Sequence, residues 1–355
     1  MRKRINVLIT ACGAPGIKGT IFAIKNNPDL VDTHVVGVDV DEKAVGQYLV
    51  ERFYRVPAPE DPKYINVLLD ICCKEKVDVV IPQATRELSA VSKNIDFFKE
   101  NGIAVMVSPY ESIMLANDKL RILELFVNLG LPYPNYQLVS SIDELRNAVI
   151  AFGYPERPVV VKPPVSNGMR GLRILRDGAW DVYRFLSEKP SGVEVTLEEL
   201  ITILEKGDFF PQLIVSEYLP GKEYSVDAFV GKHIKFAIPR VRNKIVNGIS
   251  FSNEIELRED MIRYTLEASQ EIGLRYCFGF QYKLDEHGLP KVLECNPRVQ
   301  GTMVASVFTG ANVIWCGVRE ALGEPLNEPP NIKSSVEFHR TWGGIGVVDG
   351  KAEEI

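Results

Sequence analysis

The stretch Glu294-Cys295-Asn296-Pro297-Arg298, read with Gln281 thirteen residues upstream, sets a carboxylate, an amide and a guanidinium within five residues. Residues two apart on a strand share a face, so Glu294 and Asn296 point the same way. Side-chain oxygens in that arrangement suit a hard cation such as Mg²⁺, which takes oxygen ligands and shares them with phosphates. Arg298 adds a planar donor fork for a phosphate or carboxylate. The chemistry expected from these residues is that of a nucleotide-dependent enzyme.

Other candidates lie upstream. Lys162 follows the apolar run Val159-Val160-Val161 directly. Facing inward, it needs an anionic partner, which a nucleotide phosphate would supply; on an edge strand it is an ordinary surface lysine. The loop Ser166-Asn167-Gly168-Met169-Arg170-Gly171 comes next and reads either as backbone N–H groups offered to a triphosphate or as a plain hairpin turn. Glu217-Tyr218-Leu219 and Glu223 flank the turn Pro220-Gly221. Such a hinge can offer backbone groups to adenine and a carboxylate to ribose hydroxyls, or it is a loop with solvated acids. Arg240 and Arg242, with Lys244, share one strand face and line either a γ-phosphate or carboxylate site or a charged surface. Gln281 alternates with Phe280 and Tyr282 on the hairpin partner of the Glu294 strand. The loop Gly13–Gly19 is neither a Walker loop nor a G-x-G-x-x-G dinucleotide loop, since its order is Lys18-Gly19. It stays open between a structural turn and a substrate-binding one.

The elements that must position these residues change character along the chain. Strands at Asn6–Thr10, His34–Val40, Val77–Ile81 and Ile103–Val107 alternate with helical patterns at Tyr64–Lys74 and Leu88–Asn101, which predicts βαβ units and a parallel sheet. Binding loops then sit at the carboxyl ends of the strands; Arg86 and Glu87, after the third strand, become candidates to touch a substrate. A helix opens at Asn117-Asp118-Lys119 and runs through Leu129, and another starts with capping-box character at Ser140–Glu144. From Pro158 onward β-branched runs predict an α+β region: Val159–Val161, Leu213–Val215, Ser225–Val230 and Ile234–Ile238, then a helix over Arg258–Ile272 and the hairpin Phe278–Leu284/Lys291–Asn296. The segment beyond Pro325 reads as loop-rich.

Bulk composition narrows the class. A chain of 355 residues, 46% hydrophobic and 25% charged, is an ordinary globular protein of two or three domains. With 41 basic and 47 acidic residues the formal net charge is −6, which argues against a nucleic-acid partner. No run approaches the roughly 18 apolar residues of a membrane span, so no membrane partner is expected. The six cysteines lack C-x2-C spacing and read as reduced thiols of a cytoplasmic protein. The four histidines and the serines make no recognisable triad.

The order Lys119, Lys162, small-residue loop, Glu217, Glu223, Gln281, Glu294, Asn296, Arg298 resembles the ATP-grasp superfamily. The Glu-x-Asn-Pro-Arg hairpin end with its upstream Gln is similar to the carbamoyl-phosphate-synthetase-like branch. The resemblance covers about Asn6 to Leu322. It implies a Rossmann-like pre-ATP domain over residues 1–115, followed by a two-part ATP-grasp fold over 116–355. Within the latter it implies a lid at about 135–220, a larger subdomain with the metal hairpin at about 221–325, and a tail at 326–355. It implies ATP and Mg²⁺, with Mn²⁺ as a substitute, bound between the lid and the larger subdomain. Lys119 and Lys162 then contact nucleotide and phosphates, and residues 166–171 close over the β- and γ-phosphates. Glu217, Tyr218 and Leu219 hold adenine, and Glu223 holds ribose. Gln281, Glu294 and Asn296 hold the metal, while Arg298, with Arg240 and Arg242, faces the transferred phosphoryl group.

The reaction implied is ligation: a carboxylate takes the γ-phosphoryl group to form an acyl phosphate, and an amine displaces phosphate. Its partners are small carboxylates and amines, amino acids among them, and family habit suggests a homodimer. The alternatives are phosphorylation of a carboxyphosphate- or carbamate-type substrate, and a non-catalytic nucleotide-binding regulatory subunit. Gln281 stands where many relatives carry a carboxylate, and the phosphate loop has fewer glycines than usual. A single grasp unit without an amidotransferase segment reads against a complete carbamoyl phosphate synthetase.

Overall fold

The computed structural model describes residues 4–166, 168–178, 182–188, 192–348 and 351–354. Two compact units divide the chain. The first comprises residues 1–117, 222–282 and 294–355, and the second comprises residues 118–221 and 283–293.

The first unit begins with five strands: β1 (Arg4–Ile9), β2 (Asp32–Asp39), β3 (Arg52–Arg55), β4 (Val79–Ile81) and β5 (Ala104–Val105). They pair in parallel in the order β3-β2-β1-β4-β5. Helices α1 (Ile17–Lys25), α2 (Tyr64–Glu75), α3 (Thr85–Lys93), α4 (Ile95–Glu100) and α5 (Tyr110–Ala116) connect or follow them. Strand alternation splits β1 between two cores: Val7 and Ile9 pack on one side, Leu8 on the other with Val36, Val38, Leu68 and Leu88. Order reverses between β1 and β4, where the loops after both strands gather at the carboxyl end of the sheet.

The second unit holds α6 (Lys119–Asn128), β6 (Tyr136–Val139), α7 (Ile142–Ala151), β7 (Val159–Lys162), β8 (Arg173–Leu175), α8 (Val182–Ser187), β9 (Glu194–Val195), α9 (Leu197–Leu204) and β10 (Leu213–Glu217). Its sheet runs β6-β10-β7-β8-β9 and is antiparallel except between β8 and β9. Asp118 caps α6 by accepting from the N–H groups of Leu120 and Arg121. At α7, Ser141 accepts from Glu144 N–H while the Glu144 carboxylate accepts from Ser140 N–H, which realises the expected helix start.

The chain then completes the first unit with β11 (Glu223–Val230), β12 (Lys235–Val246), β13 (Ile249–Ile255), α10 (Glu259–Ile272), β14 (Tyr276–Leu284), β15 (Pro290–Asn296), α11 (Ala305–Phe308), α12 (Val313–Ala321) and β16 (Glu337–His339). These strands form a sheet in the order β15-β14-β11-β12-β13-β16; the tip of the β14–β15 hairpin belongs to the second unit. The core of the first unit joins Val7 and Ile9 of the first sheet to Phe229 and Ile238 of this one, with Trp315 of α12 among them. The Trp315 indole N–H donates to Asp29 at 2.7 Å, so its one polar atom is satisfied. A last hairpin, β17 (Ile345–Val348) and β18 (Lys351–Glu354), ends the described chain.

Both expected fold classes are thus present, a parallel α/β sheet followed by α+β sheets. Two local expectations are corrected, and one strand is additional. The single helix expected over Leu88–Asn101 is two, α3 and α4, broken at Asn94, whose side chain bonds to the Ala90 carbonyl. Strand β3 was not anticipated, because Arg-Phe-Tyr-Arg lacks an apolar core-facing run and lies at the sheet edge. The segment after Pro325 contributes β16 to the large sheet.

Candidate functional site

Over Glu294–Asn296 the side chains alternate as expected. Cys295 turns into the core at 5% exposure, and burial lifts its thiol well above the usual range. Glu294 and Asn296 occupy the other face and meet there, Asn296 Nδ2 donating to Glu294 Oε1 at 2.9 Å. Pro297 removes the next backbone donor and ends the strand. Arg298 then reaches three ways: Nε to Thr85 Oγ1 at 2.9 Å, Nη1 to Val299 O at 3.0 Å, and Nη2 to Asn296 Oδ1 at 3.3 Å. Burial pulls this guanidinium below its ordinary pKa, and the charges of Glu294 and Glu87 oppose that shift.

Gln281 sits on the neighbouring strand β14. Its Oε1 accepts from Arg242 Nη1 at 3.4 Å. The same Nη1 makes an ion pair with Glu223, and Arg242 Nη2 donates to Gly248 O at 2.6 Å. The first unit therefore brings together Glu223, Arg242, Gln281, Glu294, Asn296 and Arg298.

These residues fit a hard cation. The donors are one carboxylate and two amide oxygens, and the Cys295 thiol between Glu294 and Asn296 is buried in the core. Among the described residues no cluster of three His, Cys, Asp or Glu side chains could hold a metal. A set with a single carboxylate matches Mg²⁺, which keeps waters and takes substrate phosphates rather than a full protein cage.

Arg240 has a different setting from Arg242. At 2% exposure it spends four N–H bonds: Nε and Nη2 on Asp227 (2.8 and 3.3 Å), Nη1 on Asn253 (2.7 Å) and Nη2 on Gln300 (3.2 Å). That leaves one of its five N–H groups for any other partner. Asp227, Asn253 and Gln300 were missed in the sequence. An aspartate inside the apolar run of β11 was the available signal, since a buried acid requires a buried cation.

The second unit collects the other set. Lys119, 8% exposed, donates from Nζ to Ser166 O at 2.6 Å and Oγ at 3.3 Å, and so braces the small-residue loop. Lys162 is 7% exposed on β7, a strand flanked by β10 and β8, so the edge-strand alternative is excluded. Its Nζ donates to Leu293 O at 3.3 Å. Gly168, Met169 and Gly171 all have positive φ, and a Cβ on Gly171 would stand 2.8 Å from the Pro163 ring. Asn167 lies outside the described residues. Glu217 accepts from Asn135 N–H and from Lys291 Nζ, each at 2.7 Å; Lys283 sits over the Tyr218 ring, and Leu219 is buried.

The expectation that Arg86 and Glu87 touch a substrate meets a correction. Glu87 is 3% exposed and accepts from Thr10 Oγ1, from Tyr64 Oη at 2.9 Å and from the N–H groups of Gln83 and Ala84 at 2.8 and 2.6 Å. It caps α3, and both of its oxygens are engaged by local donors. Arg86 points outward and pairs with Glu60. A depression of about 470 Å³ between Ser140–Asp143 and Leu204–Phe210 contains none of the candidate residues.

Residues 209–341 match the family model described as ATP-grasp in the biosynthetic pathway with Ter operon, and residues 7–106 match the PylC-like N-terminal domain. Residues 209–341 are thus similar to an ATP-grasp domain and residues 7–106 to a PylC-like N-terminal domain. It is similar to the carbamoyl phosphate synthase large chains of Clostridium acetobutylicum (26% identity over 318 residues) and Clostridium beijerinckii (25% over 319), matching over 86% of its own length. It spans about a quarter of those relatives, 26% in each case. Among solved structures it is similar to the biotin carboxylase domain of Hydrogenobacter thermophilus 2-oxoglutarate carboxylase in complex with MgADP, ADP and bicarbonate. That match has a TM-score of 0.68 at 18% identity and covers 94% of this chain and 73% of the other. The N5-carboxyaminoimidazole synthetase of Staphylococcus aureus complexed with ADP gives a TM-score of 0.67 at 16% identity, covering 92% and 80%. These likenesses establish the fold. Among the described residues no helix is long and apolar enough to cross a membrane.

Proposed function

We propose that the protein is an ATP- and Mg²⁺-dependent ligase that activates a carboxylate as an acyl phosphate for attack by an amine. The observation that carries this reading is the meeting of Glu294 and Asn296 on one face of β15, with Arg298 bonded to Asn296. Binding a nucleotide alone does not require a carboxylate, an amide and a guanidinium aligned in this way.

In this reading Lys119, Lys162 and residues 166–171 hold the phosphates; Glu217, Tyr218 and Leu219 hold adenine, and Glu223 holds ribose. Gln281, Glu294 and Asn296 hold Mg²⁺, which when bound supplies charge neutralisation at the phosphates. Arg298 faces the transferred phosphoryl group with a guanidinium fixed by Thr85 and Asn296. Arg242 stands beside the metal oxygens, whereas Arg240 braces the strand through Asp227, Asn253 and Gln300. No side chain is asked to act as a covalent nucleophile; positioning and electrostatics carry the step. The domain proposal follows the resemblance, with a pre-ATP domain over 1–115, a lid at about 135–220 and a larger subdomain at about 221–325. Amino acids are the substrate class proposed, with a cytoplasmic homodimer as the working form.

The match to carbamoyl phosphate synthase large chains favours a second reading, in which the phosphorylated group is a carboxyphosphate- or carbamate-type acid. ADP and phosphate release, measured with ATP, Mg²⁺ and a panel of carboxylates and amines against bicarbonate and ammonia, separates the two. The variant Glu294→Ala should keep its circular dichroism spectrum and lose ADP formation with every pair. Normal turnover in that variant would refute the metal assignment. Tight ATP binding with no turnover for any pair would instead identify a regulatory subunit.

A further inference from the structure

Arg242 is a buried cation with two acidic neighbours of different duty. Its side chain is 5% exposed, and its ion-pair partner Glu223 is 21% exposed. Glu223 begins β11 beside Arg242 of β12, and just past Arg242 the register between β12 and β13 shifts toward the turn at Asn247-Gly248. Gly248 O holds Nη2 at 2.6 Å and so anchors the guanidinium at one end. The other end, Nη1, lies between the Glu223 carboxylate and Gln281 Oε1. Glu294 is close enough for its charge to act on the same guanidinium. Nε finds no acceptor among the described residues.

We propose that Glu223 restrains Arg242 and thereby sets the affinity of the cation site, so that Arg242 is a positioning residue and Glu223 controls a metal it does not ligate. The inference rests on the metal reading given above. With Glu223 ionised, Arg242 is neutralised, and its Nη1 is shared between the Glu223 carboxylate and a long bond to Gln281 Oε1. Without that charge, Nη1 keeps Gln281 Oε1 as its acceptor and Glu294 as the acidic charge acting on it, and both residues are read as metal ligands. A guanidinium there competes for the donors and repels the ion. The sign follows: loss of Glu223 weakens cation binding, and loss of Arg242 as well restores it.

The test is titration of the full chain with Mn²⁺ alone, free Mn²⁺ being read by electron paramagnetic resonance. Four proteins are compared: wild type, Glu223→Gln, Arg242→Met and the double variant. Glu223→Gln should bind Mn²⁺ about tenfold more weakly than wild type. Arg242→Met should bind it at least as tightly, and the double variant should return to within about threefold of wild type. A merely structural role for the pair predicts the opposite, a double variant no better than either single one. Unchanged Mn²⁺ affinity in Glu223→Gln, or no recovery in the double variant, overturns the inference while leaving the metal site standing. Absence of Mn²⁺ binding in the wild type overturns both.

Discussion

Arg298 donates from Nε to the hydroxyl of Thr85 at 2.9 Å, across 213 residues of chain. Thr85 is the first residue of α3, directly after the loop that follows β4 of the parallel sheet. The bond aims a guanidinium whose other donors go to Val299 O and Asn296 Oδ1. Thr85→Val keeps the shape and removes the acceptor. A hydrogen bond to a charged group contributes about 1.5–3 kcal/mol, so kcat should fall by roughly 10- to 100-fold. The KM for ATP should move little, because Arg298 is placed at the transferred group rather than the nucleoside. Steady-state kinetics check this; a rise in KM at unchanged kcat would relocate Arg298 to binding.

Lys162 offers a cleaner separation of stability from binding. Its side chain is largely buried on a central strand, with Leu293 O among the partners of its ammonium. Burying a charge is costly, and an apolar side chain of similar length avoids that cost. Lys162→Met should therefore unfold at the same urea concentration as wild type or a higher one. Its affinity for ADP should fall by about tenfold or more, the loss of a charge-assisted bond to phosphate. Calorimetric titration with ADP gives the answer, and an unchanged dissociation constant would remove Lys162 from the nucleotide site.

Much of this site was legible in the sequence because short-range rules govern it. Alternation in β15 is enough to set Glu294 beside Asn296 and turn Cys295 inward. The run Val159–Val161 is enough to make Lys162 the end of a buried strand. What escaped depends on pairing over distance. Nothing local tells that Arg240 is claimed by Asp227 while Arg242, two residues on, is shared between Glu223 and Gln281. Glu87 escaped for the opposite reason: an acid three residues into a helix is an ordinary cap, and its position after a parallel strand suggested more. Strand β16 is built from Glu337–His339, a segment whose strand character comes only from pairing with β13.

Glu87 gives a pH dependence. Burial raises its pKa above the ordinary carboxylate value, despite hydrogen bonds from Thr10, Ala84, Tyr64 and Gln83 that oppose the shift. In the window between the ordinary and the raised value the folded chain holds a proton that the unfolded chain has lost. The unfolded state then binds fewer protons, so stability falls as pH rises. Glu87's contribution is full below the ordinary carboxylate range and is lost as pH climbs through the folded value. Glu87→Gln removes that slope, and its stability deficit relative to wild type should shrink as pH rises above the ordinary carboxylate range. Urea midpoints measured at unit pH intervals decide it; parallel curves for the two proteins would mean that Glu87 is ionised throughout.

Gly16 offers a test of which duty the Gly13–Gly19 loop performs. Its φ of −90° and ψ of −6° suit any residue, so alanine brings no backbone strain. A Cβ there, however, would stand 2.6 Å from Gly301 Cα and 3.1 Å from Gly301 O. Both neighbours are main chain and cannot rotate away. Arg340 fastens the same junction, donating from Nη1 to Pro15 O at 3.0 Å and from Nη2 to Gly301 O at 2.8 Å. On these contacts the loop is expected to act as an abutment for the turn that follows Arg298 by three residues. Overpacking of this kind costs about 1–3 kcal/mol, so Gly16→Ala should lower the melting temperature by several degrees. It should also depress kcat by displacing Arg298. If the loop instead contacts a substrate, Gly16→Ala raises that substrate's KM at an unchanged melting temperature, and the abutment account fails.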